Sequence, residues 1–344
     1  MVFEQYEGED FLVDVPVKIN IWIRPDCQKK QFDIIKQAKP SVLFIQSDGG
    51  RNAEERRIIN ENRKMIEEGI NWNCKVYKIY EDTNHGLYTM GAKTSDVIWR
   101  TVDRCVFTED DQLPSVSFFR YCAEMLEKYK DDERIECICG MNHLGKYEDA
   151  DSDYFFSRQG SIWGVATWKR VVENWDSFDY GNSNYTMSIL KERTKHNKAI
   201  WNRLNTYAQK ELCEGHVAST EFWLEFDVYS QNRLQIIPKY NLISNIGTTE
   251  TSAHSGQLKN MPRKLREIFH SDTYELKFPL VHPKYVMPDI KYEKKRNQIM
   301  GYNTPVISFF RKVECLFLLL KNEGMGHVVS RIERKIIHAE RTEK

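Results

Sequence analysis

An α/β fold, with a mostly parallel sheet flanked by helices and a helical appendage at the C-terminus, is what this sequence predicts. Three observations carry that expectation. Short apolar or alternating runs recur between residues 17 and 107. Segments with helical spacing separate them, the pattern of repeated strand-helix-strand units. No internal repeat, low-complexity tract or apolar run of membrane-spanning length points to another architecture.

The elements follow in order. In VKINIWI (17–23), Val17, Ile19, Ile21 and Ile23 alternate with other residues at period two, which reads as a strand stopped by Pro25. QFDIIKQA (31–38) has helical spacing and closes before Pro40. SVLFIQ (41–46) is a short apolar run suited to a strand covered on both faces. After the turn-rich SDGGR, a charged helix is expected from Ala53 to Glu68, ending at Gly69. KVYKIY (75–80) is the third strand. Leu87, Met90, Thr94, Val97, Ile98 and Thr101 then share one helical face, and RCVFT is the fourth strand. Pro114 and Ser115 open a helix whose apolar face is Phe118, Phe119, Cys122, Met125, Leu126 and Tyr129. The second half is less regular. RIECICGM (134–141) reads as a strand, the polar stretch 181–215 as helices without strong periodicity, and RLQIIPKYNLISNIG (233–247) as strand-like around Pro238. The expected division is a main domain over 1–290, in halves 1–111 and 112–290, and a helical tail over 291–344.

Composition narrows the function classes. Hydrophobic residues are 41% and charged residues 29% of 344, enough to build a core and too apolar for a disordered chain. Lys plus Arg and Asp plus Glu are both 50, so there is no global attraction to nucleic acid, and any anion binding must be local. Eight scattered cysteines without C-x-x-C spacing, behind an acidic opening MVFEQYEGEDF, suggest free thiols and a cytoplasmic location.

One feature asks for chemistry. Glu109, Asp110 and Asp111 follow directly on the apolar run Cys105, Val106 and Phe107. An arbitrary charge run is solvated surface, but this one stands where a parallel strand ends, and ligands of open α/β sheets bind in that crevice. Alternate residues of extended chain face one side, which places Glu109 with Asp111. Crowded carboxylates repel unless neutralised. A hard cation, Mn²⁺ or Mg²⁺, takes one or two of them and fills its shell with water and phosphate oxygens.

CVFTEDDQLPSVSFFRYCAEMLEKY resembles the acidic metal-binding motif and following helix of GT-A (Rossmann-like) glycosyltransferases, in particular the branch similar to N-acetylglucosaminyltransferase I and its bacterial surface-polysaccharide relatives. IWIRPD, FIQSDGGR and NHGL resemble the first strand, the second strand with its nucleotide loop, and the loop beside the donor diphosphate. SIWGVATWKRVVENW resembles the acceptor-side segment, and IIPKYNLISNIG with SAHSG the closing part of the catalytic domain. The resemblance covers residues 15–285. It implies a catalytic domain whose first half binds the nucleotide sugar and whose second half faces the acceptor. It implies Asp111 as metal ligand, Glu109 and Asp110 toward the ribose, Asp48 on the nucleobase or ribose, and Arg24, Asn84 and Gly86 along the nucleotide pocket. His254 would be a late metal or diphosphate ligand, with an exposed loop histidine as the other reading. Trp163 and Gly164 would form the acceptor wall.

The implied activity is a Mn²⁺- or Mg²⁺-dependent hexosyl- or N-acetylhexosaminyl-transferase, UDP-sugar favoured, acting on a hydroxyl of a bacterial surface glycan or lipid-linked oligosaccharide. Inversion requires a carboxylate that takes the acceptor proton. The resemblance puts this base shortly before IIPK, where Glu221 aligns best, with Glu225 and Asp227 as alternatives. Trp168, Trp175 and Trp223 could stack on sugar rings, but tryptophan is more often a core residue, and core packing is the expectation. The basic cluster Lys259, Arg263, Lys264 and Arg266 is either an anion-steering patch or a solvated helix face. The tail mixes Phe309, Phe310 and Leu316–Leu320 with Arg311, Lys312 and Lys321, suiting a helix at the inner membrane face, or one docked on the body or a second subunit. Two other classes remain: a sugar nucleotidyltransferase, against which the glycine-free RPDCQKK counts, and a non-catalytic cation- or glycan-binding protein.

Overall fold

The computed structural model describes residues 1–173, 175, 182–195, 197–214, 220–247, 258–302 and 304–342. A nine-stranded mixed sheet forms its centre. In chain order the first seven strands are β1 (Val2–Tyr6), β2 (Val13–Ile21), β3 (Pro40–Ser47), β4 (Cys74–Tyr80), β5 (Arg104–Phe107), β6 (Gln112–Pro114) and β7 (Ile135–Cys139). The last four are β8 (Tyr154–Ser157), β9 (Val165–Trp168), β10 (Leu234–Pro238) and β11 (Ile243–Asn245). The sheet order is β1-β4-β3-β2-β5-β9-β7-β10-β8. Strands β2, β3, β4, β5, β7 and β10 run one way, and β1, β9 and β8 run against them. A separate ladder pairs β6 with β11.

Helices cover both faces. They are α1 (Pro25–Ala38), α2 (Ala53–Gly69), α3 (Leu87–Thr101), α4 (Ser117–Lys128), the single turn α5 (Lys169–Val172), α6 (Asn184–Thr194), α7 (Lys198–Glu214), α8 (Thr220–Ser230), the single turn α9 (Arg263–Arg266), α10 (Ile290–Met300) and α11 (Pro305–Thr342). Alternation along β3 shows the layering. Leu43 and Ile45 join the core under α1, α2 and α4, with Phe32, Ile59 and Phe118. Phe44 points to the other face, where it packs with Ile79 and with Met90 and Ile98 of α3. That first core runs from Val15 to Leu280, across both halves of the chain. Tyr292 of α10 is fully buried against Tyr147 and Phe155, so this helix is built into the body.

Several elements differ from the sequence expectation. Pro25 starts α1 at its first turn, where a missing N–H costs nothing, rather than only ending β2. The edge strand β1 was not anticipated, because its exposed face leaves little apolar alternation to read. The expected strand at 233–247 is two strands in different sheets.

Helix α11 breaks at Gly324, whose φ of 80° is left-handed. Its polar edge faces the body. Glu314 accepts the Arg263 N–H at 2.8 Å, and Asn322 donates to the Lys259 carbonyl at 3.0 Å. Leu319 is buried, while Phe309, Phe310 and Phe317 are each 63% exposed. Among the described residues no helix is long and apolar enough to cross a membrane.

Candidate active site

The acidic loop lies at the carboxyl ends of β2 and β5, and β2 supplies its counter-charges. Lys18 and Asn20 point to the face opposite Val17 and Ile19. Both are buried, and both meet Glu109: Lys18 Nζ lies 3.5 Å from Oε1, and the Asn20 side-chain amide donates a hydrogen bond to Oε2. Arg24, between β2 and α1, reaches the other two acids, with Nη1 at 2.7 Å from Asp111 Oδ2 and Nε at 3.6 Å from Asp110 Oδ2. Gln31 of α1 holds the loop backbone, donating to the carbonyls of Glu109 and of Gln112, the latter at 2.8 Å.

Burial dominates the electrostatics at Asp110. Its carboxyl is pushed up to about 6, with Arg24 opposing and the charges of Asp111 and Glu109 adding to the rise. Its Oδ2 is buried and accepts no hydrogen bond. Asp111 is fixed from behind: the Ile246 N–H donates to its carbonyl at 2.8 Å, and Gly247 lies so close that a Cβ there would stand 2.3 Å from Asp111 Oδ2. The donor set suits a hard divalent cation, since it is all carboxylate oxygen and one oxygen lacks a donor. Arg24 and Lys18 bring positive charge to the same carboxylates, and among the described residues no three metal-binding side chains converge on one point.

Asp48, Asn84 and Gly86 form a second knot at the end of β3. The Asp48 carboxylate accepts N–H groups from Gly49, His85 and Gly86 at 2.8–3.1 Å and the Asn84 amide at 3.0 Å. Asn84 also donates to the Gly49 carbonyl at 2.9 Å. Asp48 is therefore engaged by its own loop, which it ties to the start of α3. Gly86, at φ 83°, makes the left-handed turn into that helix. No residue of α3 itself caps its N-terminus and no acid stands in its first turn; the negative charge at its start is the Asp48 carboxylate, which receives the Gly86 N–H at 2.8 Å.

A cavity of about 370 Å³ opens in the second half. Trp163, Glu221 and Glu225 all line it, with Arg158, Arg203 and Arg296. Trp163 packs edge-on against Phe269 at 5.0 Å. Glu221 opens onto the cavity, where the surrounding protein and the neighbouring Glu225 raise its carboxyl above the ordinary range. Glu225 is bound to Arg203, whose Nε lies 2.8 Å from its Oε2. Asp227 points away into the protein, paired with Arg233 at 2.9 Å and bonded by the Trp175 indole at 3.1 Å. That removes it from the cavity lining.

The acidic loop and the cavity wall share one side chain. Gln112 Oε1 accepts the N–H of Glu109 at 3.2 Å and of Gly164, next to Trp163, at 2.9 Å. Trp168 and Trp223 are buried, as core packing requires. The basic cluster at 259–266 is largely paired, with Arg263 and Lys264 both 2.9 Å from Glu267. His254 lies outside the described residues.

Sequence reasoning missed Lys18, Asn20, Gln31, Gln112, Arg203 and Arg296. A signal existed for the first two, because a lysine and an asparagine inside a strand of buried isoleucines and valines need a partner.

No protein-family model matches the chain, and no curated protein matches it. Among solved structures it is similar to a mannosyltransferase from Pyrobaculum calidifontis in complex with GDP-Man and Mn²⁺, at 10% identity over 66% of this chain and 73% of that one, TM-score 0.34. It is also similar to 4-diphosphocytidyl-2C-methyl-D-erythritol synthase from Anaerococcus prevotii, at 9% identity over 67% of this chain and 89% of that one, TM-score 0.35. A third is a UDP-glucose pyrophosphorylase complexed with UDP-glucose, at 9% identity over 46% of this chain and 78% of that one, TM-score 0.29. None of the three is an N-acetylglucosaminyltransferase.

Proposed function

We propose that this chain is a divalent-cation-dependent GT-A glycosyltransferase, moving a sugar from a nucleoside-diphosphate donor, UDP-sugar favoured, to a hydroxyl of a bacterial surface glycan or lipid-linked oligosaccharide with inversion. One observation carries the reading: an acidic strand end and a separate carboxylate in an aromatic-walled cavity are joined through Gln112. Transfer of this kind needs both, one set of groups for the departing diphosphate and a base for the attacking hydroxyl.

In this scheme Asp111 holds Mn²⁺ or Mg²⁺, Glu109, kept in place by Lys18 and Asn20, faces the ribose, and the unpartnered Oδ2 of Asp110 favours the cation over the ribose contact that the resemblance implied. A bound cation stabilises negative charge on the leaving phosphate. The N-terminus of α3 suits the diphosphate, with Asn84 and Gly86 shaping the loop beside it and Asp48 bracing that loop against the nucleoside. Arg24 shifts from the carboxylates toward the phosphates. Trp163 and Gly164 support the acceptor ring, and Glu221 takes the acceptor proton. The raised carboxyl of Glu221 makes it a stronger base once ionised. Glu225, tied to Arg203, and Asp227, buried with Arg233, are less able to do so.

The test is a thermal-shift and donor-hydrolysis panel of UDP-, GDP-, CMP- and dTDP-sugars with and without Mn²⁺. A Mn²⁺-dependent rise in melting temperature with one nucleotide, lost in Asp111→Asn, is expected. No shift with any nucleotide refutes the proposal. Arg24, a cation at the end of the β2 strand, also suits a sugar nucleotidyltransferase. Pyrophosphate exchange into a nucleotide sugar, without transfer to an acceptor, decides for that reading.

The tail supports peripheral contact with the inner face of a membrane. A surface helix normally turns its apolar side inward, whereas α11 spends its polar edge on the body and presents Phe309, Phe310 and Phe317 outward beside the exposed Lys312 and Lys321. Co-sedimentation with anionic vesicles, reduced by Phe309→Ser with Phe310→Ser, is the expected result. A concentration-dependent dimer that ignores vesicles assigns the face to a second copy.

A further inference from the structure

The cavity beside Trp163 holds three guanidinium groups, and their satisfaction is unequal. Arg158 has Glu293 at 2.9 Å, and Arg203 has Glu225. Among the described residues Arg296 has no carboxylate within 4.0 Å. Its Nη atoms make only long contacts to neutral acceptors, 3.4 Å to Gln159 Oε1 and 3.3 Å to the Gly160 carbonyl, and its Nε is buried without a partner. His143, on the same cavity, also leaves a buried Nδ1 unpartnered, and burial beside Arg296 keeps its ring neutral.

A part-buried cation without a counter-charge is costly. Glu221 is near enough for Arg296 to oppose the rise of its carboxyl, but among the described residues the two form no ion pair, so the fork of Arg296 is left without a direct carboxylate partner. A planar guanidinium fork with free donors matches the two oxygens of a carboxylate or phosphate.

We propose that this cavity takes an acidic acceptor sugar, whose carboxylate or phosphate is held by Arg296 while its hydroxyl reaches Glu221. The inference rests on the glycosyltransferase reading for the word acceptor, but the anion-binding cavity stands by itself. Trp163 gives the sugar an apolar face, and the volume falls within the range of small-ligand pockets.

Isothermal titration of the full chain with methyl glucuronide, methyl glucoside 6-phosphate and neutral methyl glucoside tests it. At least one anionic probe is expected to bind about tenfold or more tightly than the neutral one. That preference weakens as sodium chloride is raised. Which anion wins separates a uronate from a phosphorylated acceptor. Arg296→Gln removes the preference and Arg296→Lys keeps part of it. Equal binding of all three sugars, no binding of either anion, or a preference that survives in Arg296→Gln overturns the proposal; the wild-type salt series decides if a variant fails to fold. The donor panel is read separately. Anion preference without any nucleotide effect leaves the cavity assignment standing and rejects the transferase. Nucleotide binding without anion preference does the reverse.

Discussion

Replacing Asp110 by Asn should make the protein more stable at neutral pH. The side chain is 13% exposed, and burial raises its carboxyl from the ordinary 3.8 to about 6. The folded state therefore holds this proton more tightly than the unfolded chain. The contribution of Asp110 is most favourable below 3.8 and is lost as the pH rises through about 6. Roughly two units at 1.36 kcal/mol each come to about 3 kcal/mol. Asparagine keeps the shape without the charge. The attraction of Arg24, 3.6 Å away, is already contained in that net rise, and Arg24 keeps Asp111 at 2.7 Å in the variant.

The expectation is a gain of about 3 kcal/mol at about pH 8 and little change at about pH 4. Urea unfolding of both proteins at the two pH values measures it, with Mn²⁺ and nucleotide absent. Adding Mn²⁺ should stabilise the wild type more than the variant. Equal stability of the two proteins at high pH, or a loss in Asp110→Asn, refutes the idea that this carboxylate is held at a cost that a cation repays.

Three further outcomes are expected. Gly247→Ala brings a Cβ to 2.3 Å from Asp111 Oδ2 and 2.4 Å from its Cβ, so the carboxylate must move by roughly 1 Å. Donor turnover should fall about 100-fold while the melting temperature changes little, as paired kinetic and thermal assays will show. For Glu221, raised above the ordinary 4.5 by the protein around the cavity and by Glu225, transfer should rise with pH through an apparent value above 4.5 as the proton leaves. Glu221→Gln should erase that limb and cost about 10²–10⁴ in rate, read from the pH profile of kcat/KM. Asp227→Asn removes the carboxylate from a pair that is 2% and 5% exposed; because burial already raises the Asp227 carboxyl and Glu133 stays 3.3 Å from Arg233, urea unfolding should show a loss of about 1 kcal/mol or less, with donor affinity unchanged.

The sheet was legible where burial on both faces wrote itself into composition. SVLFIQ, KVYKIY and RCVFT stand within a residue or two of β3, β4 and β5. The helical face of 87–101 matched α3 because its inward residues recur every three or four positions. The acidic run was legible as a strand-end cluster for the same reason. Its neutralisation was not. Lys18 and Arg24 lie roughly ninety residues upstream, and only the neighbouring register of β2 and β5 brings them to Glu109 and Asp111. The cavity was hidden more deeply. Arg158, Arg203, Glu221 and Arg296 come from four separate segments, and nothing local to any of them signals the others. Asp227 stood as an alternative to Glu221, although six residues of helix put the two on different faces. Asp227 is instead taken inward by Arg233, a partner no spacing rule identifies.

Gln112 gives the molecule a mechanical constraint. One amide oxygen receives a backbone N–H from the acidic loop and another from the residue next to Trp163, while its own carbonyl is held by Gln31 of α1. The side chain is 2% exposed, so water cannot stand in for a lost partner. The loop after β5 and the wall of the cavity thus form a single gauge block, and neither can be re-spaced without the other. A lineage that exchanges one substrate for a bulkier one must adjust both sides together or give up this glutamine, and engineering that grafts either side alone onto a related scaffold will transmit its misfit to the other.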